Sequence, residues 1–138
     1  MLALCASINQ SGSKYCARVQ LQDGENDEIA KNLSTLVEEV LETFKKINSI
    51  YPENIIFYRD GVGESQKSVV MSQEIDQIKI ALKNKSLETI KFAFIMVNKR
   101  VKTKMILEQN GRLENPRSGT VLDHSITAQD VYDFYLVS

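Results

Sequence analysis

The chain predicts a mixed α/β fold in which helices cover a sheet, on three observations. Two short strand-like segments near the start, the second of them alternating, are separated by Gln10-Ser11-Gly12-Ser13, a hairpin signature. A long apolar stripe at 3.6-residue spacing follows them. Two compact runs rich in β-branched and aromatic residues, Asn54 to Tyr58 and Ile90 to Val97, then alternate with a second helical pattern.

Taken in order, Leu2 to Ile8 and Tyr15 to Gln22 read as the hairpin strands. In the second, Cys16, Arg18, Gln20 and Gln22 lie on one side, and Ala17, Val19 and Leu21 on the other, as in a half-buried strand. Asp23-Gly24-Glu25-Asn26 is a polar break with capping chemistry. A helix from about Asp27 to Ile47 places Ile29, Leu33, Leu36, Val37, Val40, Leu41, Phe44 and Ile47 on one face. Lys45 and Lys46 fall in its last turn, where cations favour the helix dipole. Tyr51-Pro52-Glu53 leads into the Asn54 to Tyr58 strand. Glu64 to about Lys85 reads as a helix with Val69, Ile75, Ile78 and Leu82 facing a core. Ile90 to Val97 reads as a buried strand and Lys99 to Lys104 as a basic segment. Ile106 to Ser118 reads as a loop broken by Gly111 and Pro116. Thr120 to Thr127 and Val131 to Val137 read as two closing strands.

The composition fits one globular unit: 138 residues, 43% hydrophobic and 25% charged. No run approaches the roughly 18 apolar residues of a membrane-spanning helix, and no basic region precedes the apolar start, as a signal peptide needs. Cys5 and Cys16 form no Cys-x-x-Cys pair and read as buried, reduced thiols of an intracellular protein. Charge is uneven. Residues 1–75 hold seven Lys/Arg against eleven Asp/Glu, and residues 76–138 hold ten against seven. An acidic part and a basic part suit a metal site beside a phosphate-binding surface.

Chemistry concentrates in Tyr58-Arg59-Asp60-Gly61-Val62-Gly63. Here an acid ends an apolar strand and projects into the loop layer, where a rigid scaffold places its reactive groups. The competing reading is a turn aspartate, because Asp-Gly is a common turn pair. Lys99, Arg100, Lys102 and Lys104 put four cations in six residues just past the next strand. If the two strands are parallel, that run lies at the same end of the sheet as Asp60.

These blocks, with Cys5-Ala6-Ser7-Ile8-Asn9, Gly111-Arg112-Leu113-Glu114-Asn115-Pro116, Gly119-Thr120-Val121 and Asp133-Phe134-Tyr135-Leu136-Val137-Ser138, resemble in order and content the Piwi domain of the Argonaute/Piwi family. The likeness covers nearly all 138 residues. The Arg-Asp-Gly-Val-Gly and Gly-Arg-Leu-x-Asn-Pro blocks carry it, and the Lys-Arg-Val and Gly-Arg-Leu segments point to the Piwi clade. The resemblance implies a ribonuclease-H-like mixed sheet with flanking helices. It makes residues 1–138 the middle of a Piwi domain, incomplete at both ends.

It further implies small-RNA-guided binding and cleavage of a complementary target RNA in gene and transposon silencing. The alternative is a catalytically silent guide-RNA binder that recruits partners. The implied partners are a piRNA-like guide and its target, with no membrane, and the implied location is cytoplasmic, including germ granules, or nuclear. Asp60 matches the family's second catalytic aspartate and would be a metal ligand. Glu28 matches its catalytic glutamate, with Asp27 and Glu25 as rivals. Mg²⁺ or Mn²⁺ is the implied cofactor, expected only in the complete domain: two such ions about 3.5–4 Å apart activate a water and stabilise the leaving oxygen, and carboxylates suit them as hard ligands. The other two active-site positions are expected before residue 1 and after residue 138. Lys99, Arg100, Lys102 and Lys104 match a segment that contacts the guide backbone. Ser65, where glycine is usual, and Lys104, where arginine is common, depart from the pattern, and the second loses bidentate phosphate geometry while keeping charge. His124 precedes the Asp-Phe-Tyr block, so it does not match the family's catalytic histidine and reads as an ordinary strand residue.

Overall fold

The computed structural model describes residues 1–22, 29–61, 63–99, 101–127 and 131–138. The chain divides into two compact units, Met1–Lys99 and Arg100–Ser138.

In the first unit, β1 (Leu2–Ser7) and β2 (Tyr15–Gln20) form an antiparallel hairpin, paired from Leu2↔Gln20 to Ser7↔Tyr15. One side chain organises the turn. Asn9 Oδ1 accepts from the backbone N–H groups of Ser13 and Lys14 at 3.0 and 2.9 Å, and Gly12 supplies the left-handed residue at φ 63°. The faces run against the apolar pattern. Cys16, Arg18 and Gln20 turn partly inward while Ala17 and Val19 are exposed. Arg18 accounts for this, because its guanidinium donates to Thr43 Oγ1 at 2.8 Å and pairs with Glu39 at 3.2 Å on the first helix. Cys5, expected to be buried, is exposed, and Cys16 is intermediate.

Helix α1 (Leu33–Asn48) buries Leu33, Leu36, Val37 and Leu41. It begins six residues later than expected. Asn32 precedes it in a left-handed conformation, φ 61°, without a side-chain cap. The second helix supplies the missing cap instead: Gln77 Oε1 accepts from the Leu33 N–H at 2.6 Å, and Gln77 Nε2 donates to the Ala30 carbonyl at 2.6 Å. At the other end, Ser49 adopts φ 64° and its N–H closes onto the Lys45 carbonyl.

Strand β3 (Asn54–Asp60) leads through a short 3₁₀ turn (Glu64–Gln66) into α2 (Lys67–Asn84), which returns the chain to β4 (Lys91–Val97). β3 and β4 are parallel, paired from Asn54↔Lys91 to Asp60↔Val97, the arrangement that a helical crossover permits. Along α2 the core-facing stripe is Val70, Glu74, Ile78, Ala81 and Leu82. Val69, expected inside, is 41% exposed. Ile55 and Phe57 of β3 and Phe92 and Phe94 of β4 pack with Leu2 and Leu4 of β1 against the buried cluster of both helices. Phe57 meets Phe92 edge-on at 6.1 Å and stacks with Phe94 at 6.4 Å. Neither strand is buried on both faces: Ile56 and Tyr58 are exposed.

The second unit holds two small antiparallel pairs. β5 (Leu107–Gln109) and β6 (Arg112–Glu114) flank Asn110-Gly111, both at positive φ, as a tight hairpin turn requires. This hairpin lies where a loop was expected. β7 (Val121–Leu122) pairs with β8 (Tyr135–Leu136), each only two residues of the longer strands expected. His124 lies past β7 and is exposed, its ring nitrogen 3.1 Å from Asp123, so it is not a strand residue.

The α/β content is therefore as expected, with two helices and small sheets. The described strands pair as four two-stranded sheets rather than one continuous sheet. No helix among the described residues is long and apolar enough to cross a membrane.

Candidate functional site

The pleat of β3 decides where its last two residues point. Successive side chains alternate, so Ile55, Phe57 and Arg59 face the helices while Asn54, Ile56, Tyr58 and Asp60 face outward. Asp60 thus stands at the carboxyl end of the parallel pair, with its side chain 71% exposed. The parallel register brings the residues after β4 to the same end, and Lys99 Nζ donates to Asp60 Oδ2 at 3.2 Å. Asp60 Oδ1 accepts from the Gly61 N–H at 3.0 Å. Lys99, then the Gly61 N–H and the nearby Arg59 charge, hold the Asp60 carboxyl below the usual aspartate range, so it is ionised at neutral pH.

Gly61 is required by close approach. A Cβ there would meet Asn98 Oδ1 and lie 2.8 Å from the Val97 carbonyl oxygen, so the chain leaves β3 pressed against the end of β4.

On the inner face, Arg59 Nε donates to Glu74 at 3.1 Å (Oε1) and 2.9 Å (Oε2), and Arg59 Nη1 donates to the Asp60 carbonyl at 2.8 Å. Glu74 is 1% exposed, and its Oε1 also accepts from the Ala30 N–H at 3.1 Å. Sequence reasoning named Arg59 only as part of the Arg-Asp-Gly-Val-Gly block, with no role of its own, and did not single out Glu74. The usable signal is positional: Glu74 falls four residues after Val70 and four before Ile78, on the buried stripe of α2.

Of the residues expected in the site, the structure brings together Asp60 and Lys99. Glu28 and its rivals Glu25 and Asp27 lie outside the described residues, as does Arg100. Lys102 and Lys104 are exposed in the second unit. Among the described residues, no three histidine, cysteine or acidic side chains gather as a metal centre. Asp60 fits as one ligand of such a centre, being an exposed, ionised, hard-oxygen group.

A Piwi-domain family model matches residues 1–138. Protein argonaute-3 of Drosophila melanogaster is 39% identical over 136 residues, which cover 99% of this chain and 15% of that protein. Piwi-like protein Siwi of Bombyx mori is 36% identical over 138 residues, 99% of this chain and 15% of its own length. Piwi-like protein 3 of Homo sapiens is 33% identical over 133 residues, 96% of this chain and 15% of its own. The chain spans about a seventh of the length of these relatives. With residues 1–138 all matched by the domain model, the chain belongs to the Argonaute/Piwi family through its Piwi domain.

Proposed function

We propose that this chain forms part of a small-RNA-guided silencing protein whose ribonuclease-H-like Piwi domain cuts target RNA. The observation that carries the reading is the convergence at the carboxyl end of β3 and β4. There an ionised carboxylate and the first residue of a basic run come within 3.2 Å. Asp60 would hold a Mg²⁺ or Mn²⁺ ion, with Glu28 and residues outside this chain completing the site. Bound metal would activate water and stabilise the leaving oxygen. Lys99, Arg100, Lys102 and Lys104 would contact the phosphates of a piRNA-like guide, contacts that position RNA without reading its sequence. Base pairing with the guide would select the target, as in other guided effectors.

The test is cleavage of a complementary RNA by the complete, guide-loaded protein in Mg²⁺. Asp60→Ala is expected to reduce it more than about a hundredfold, beyond the 10–100-fold typical of losing a residue that only supports a metal ligand. Cleavage that survives the substitution removes Asp60 from the metal site.

A second reading is a guide-RNA binder that silences without cutting. The exposed cations Lys99, Lys102 and Lys104 support it, because phosphate contacts need no metal. Under that reading Asp60→Ala leaves guide binding and silencing unchanged.

A further inference from the structure

Glu74 poses a physical problem that core packing does not solve. Among the described residues it is one of the three largest fully buried side chains, with Ile78 and Val70. Burying a carboxylate costs several kcal/mol unless it is paired and hydrogen-bonded. A leucine or methionine on the same stripe would fill the space without that cost, so the carboxylate's bonds are where a role for it lies.

Those bonds lead to two places. The first is Asp60. Glu74 holds the Arg59 guanidinium at Nε through both oxygens, 3.1 and 2.9 Å, and the same guanidinium donates from Nη1 to the Asp60 carbonyl at 2.8 Å. That carbonyl belongs to the Asp60–Gly61 peptide, whose N–H donates to Asp60 Oδ1 at 3.0 Å. A peptide unit is planar and rigid. Fixing its oxygen therefore fixes the direction of its N–H, and the N–H in turn orients the carboxylate. The second place is the entry to α1, where Glu74 Oε1 accepts from the Ala30 N–H at 3.1 Å. Gln77 takes the Ala30 carbonyl and the Leu33 N–H at 2.6 Å each.

We propose that Glu74 is a positioning residue for Asp60, acting through Arg59 and the Asp60–Gly61 peptide, and that it ties the end of β3 to the segment entering α1. This rests on Asp60 being a metal ligand. Glu74 itself touches neither metal nor RNA. Its task is to hold the carboxylate in one orientation, and removing it loosens the site without emptying it.

The test uses the complete, guide-loaded protein. The double substitution Arg59→Met with Glu74→Leu replaces the ion pair by apolar side chains, an exchange that often leaves stability intact. Mn²⁺ binding is titrated by electron paramagnetic resonance, with Asp60→Ala as the reference, and target cleavage and thermal unfolding are measured in parallel. The expected result is an unfolding midpoint and guide affinity like those of the parent, with Mn²⁺ affinity and kcat lowered about 10–100-fold, the range for groups that orient a metal ligand. Wild-type Mn²⁺ affinity in a stable double variant overturns the proposal and leaves Glu74 a core residue. Failure of the cutting reading looks different: the parent binds Mn²⁺ in an Asp60-dependent way but cleaves nothing, and the Mn²⁺ arm still decides the role of Glu74. No Asp60-dependent Mn²⁺ binding in the parent overturns both. Glu74→Gln, nearly isosteric, covers the case in which the double variant fails to fold. Hydrogen exchange at the Gly61 amide is expected to accelerate at least fivefold while amides of α1 and α2 keep their protection. Unchanged exchange at Gly61 also overturns the proposal.

Discussion

Residues 1–99 and residues 100–138 solve the folding problem differently. The first unit pairs two long helices with four strands and contains every buried apolar side chain among the described residues. The second has antiparallel pairs of only two and three residues per strand and leaves Leu113, Val121, Ile126, Tyr132 and Leu136 each more than half exposed. Below about 40 residues a chain rarely buries enough surface to stand alone. The difference teaches that order in the second unit rests on backbone pairing rather than on a buried core. Asn110-Gly111 sets the β5–β6 hairpin, and beside the β7–β8 pair the Gly119 N–H donates to the Val137 carbonyl at 2.7 Å and the Val137 N–H to the Thr120 carbonyl at 2.9 Å.

The sharpest way to break this contrast is to remove matched apolar volume from both. Ile78 is 0% exposed, and Ile78→Ala is expected to destabilise its unit by about 2–5 kcal/mol. Leu113, 71% exposed, is expected to change stability by no more than about 0.5 kcal/mol when replaced by alanine. Urea-dependent hydrogen exchange of peptides from each unit measures both. Comparable losses mean that Leu113 is covered in the complete protein.

The basic run crosses the boundary and sharpens the contrast further. Lys102→Gln and Lys104→Gln are each expected to flatten the salt dependence of guide binding by about 0.7 in log–log slope, the single-strand value per phosphate contact. Lys99→Gln is expected to flatten it less, because Asp60 already offsets that charge at 3.2 Å. An unchanged slope for all three assigns the run to solvent.

The smallest effect is with pH. Lys85 and the Tyr51 hydroxyl hold the Glu42 carboxyl below its usual range, and Glu42 raises Lys85. A depressed carboxyl contributes stability above its unfolded pKa and loses it as pH falls through the folded one. A raised lysine loses its contribution only as pH climbs through its folded pKa. The first unit is therefore expected to weaken slightly in acid, below the ordinary glutamate range, and to hold across neutral pH. Glu42→Gln should flatten that acid limb in thermal unfolding scans, and an unaltered limb removes this pair as its source.

What could be read from the residues follows from where periodicity is strong. The α1 stripe was legible because four buried positions, Leu33, Leu36, Val37 and Leu41, recur at helical spacing, although Ile47, expected on the same face, is exposed. The start of α1 was not, because Gln77 caps it from another helix, a contact 44 residues distant. In α2 Ile78 and Leu82 were legible, but Val69 and Ile75 were read where Val70 and Glu74 are buried, since a glutamate in the core reads as a surface residue until its partner is seen. The alternation of β2 was legible but its inward face was not, because Arg18 turns inward to Thr43 and Glu39. Three-residue strands such as β5 and β6 are too short to show alternation. In the site, Asp60 and the nearness of Lys99 were legible from strand ends and order. The inner relay of Arg59 and Glu74 depends on three-dimensional pairing and was not.

The parallel register of β3 and β4 carries a consequence for how this segment can vary. Side chains alternate along β3, so deleting one residue between Asn54 and Tyr58 exchanges the two faces at every position on one side of the change. If the residues after the change keep their alignment to β4, Asp60 stays outward and the earlier side chains invert. If the earlier ones keep theirs, Asp60 turns toward the helices and Arg59 toward solvent. Single-residue insertions and deletions in β3 should therefore be lost from a mutational library long before apolar replacements at Ile55 or Phe57, making reading frame in miniature the strictest constraint on this strand.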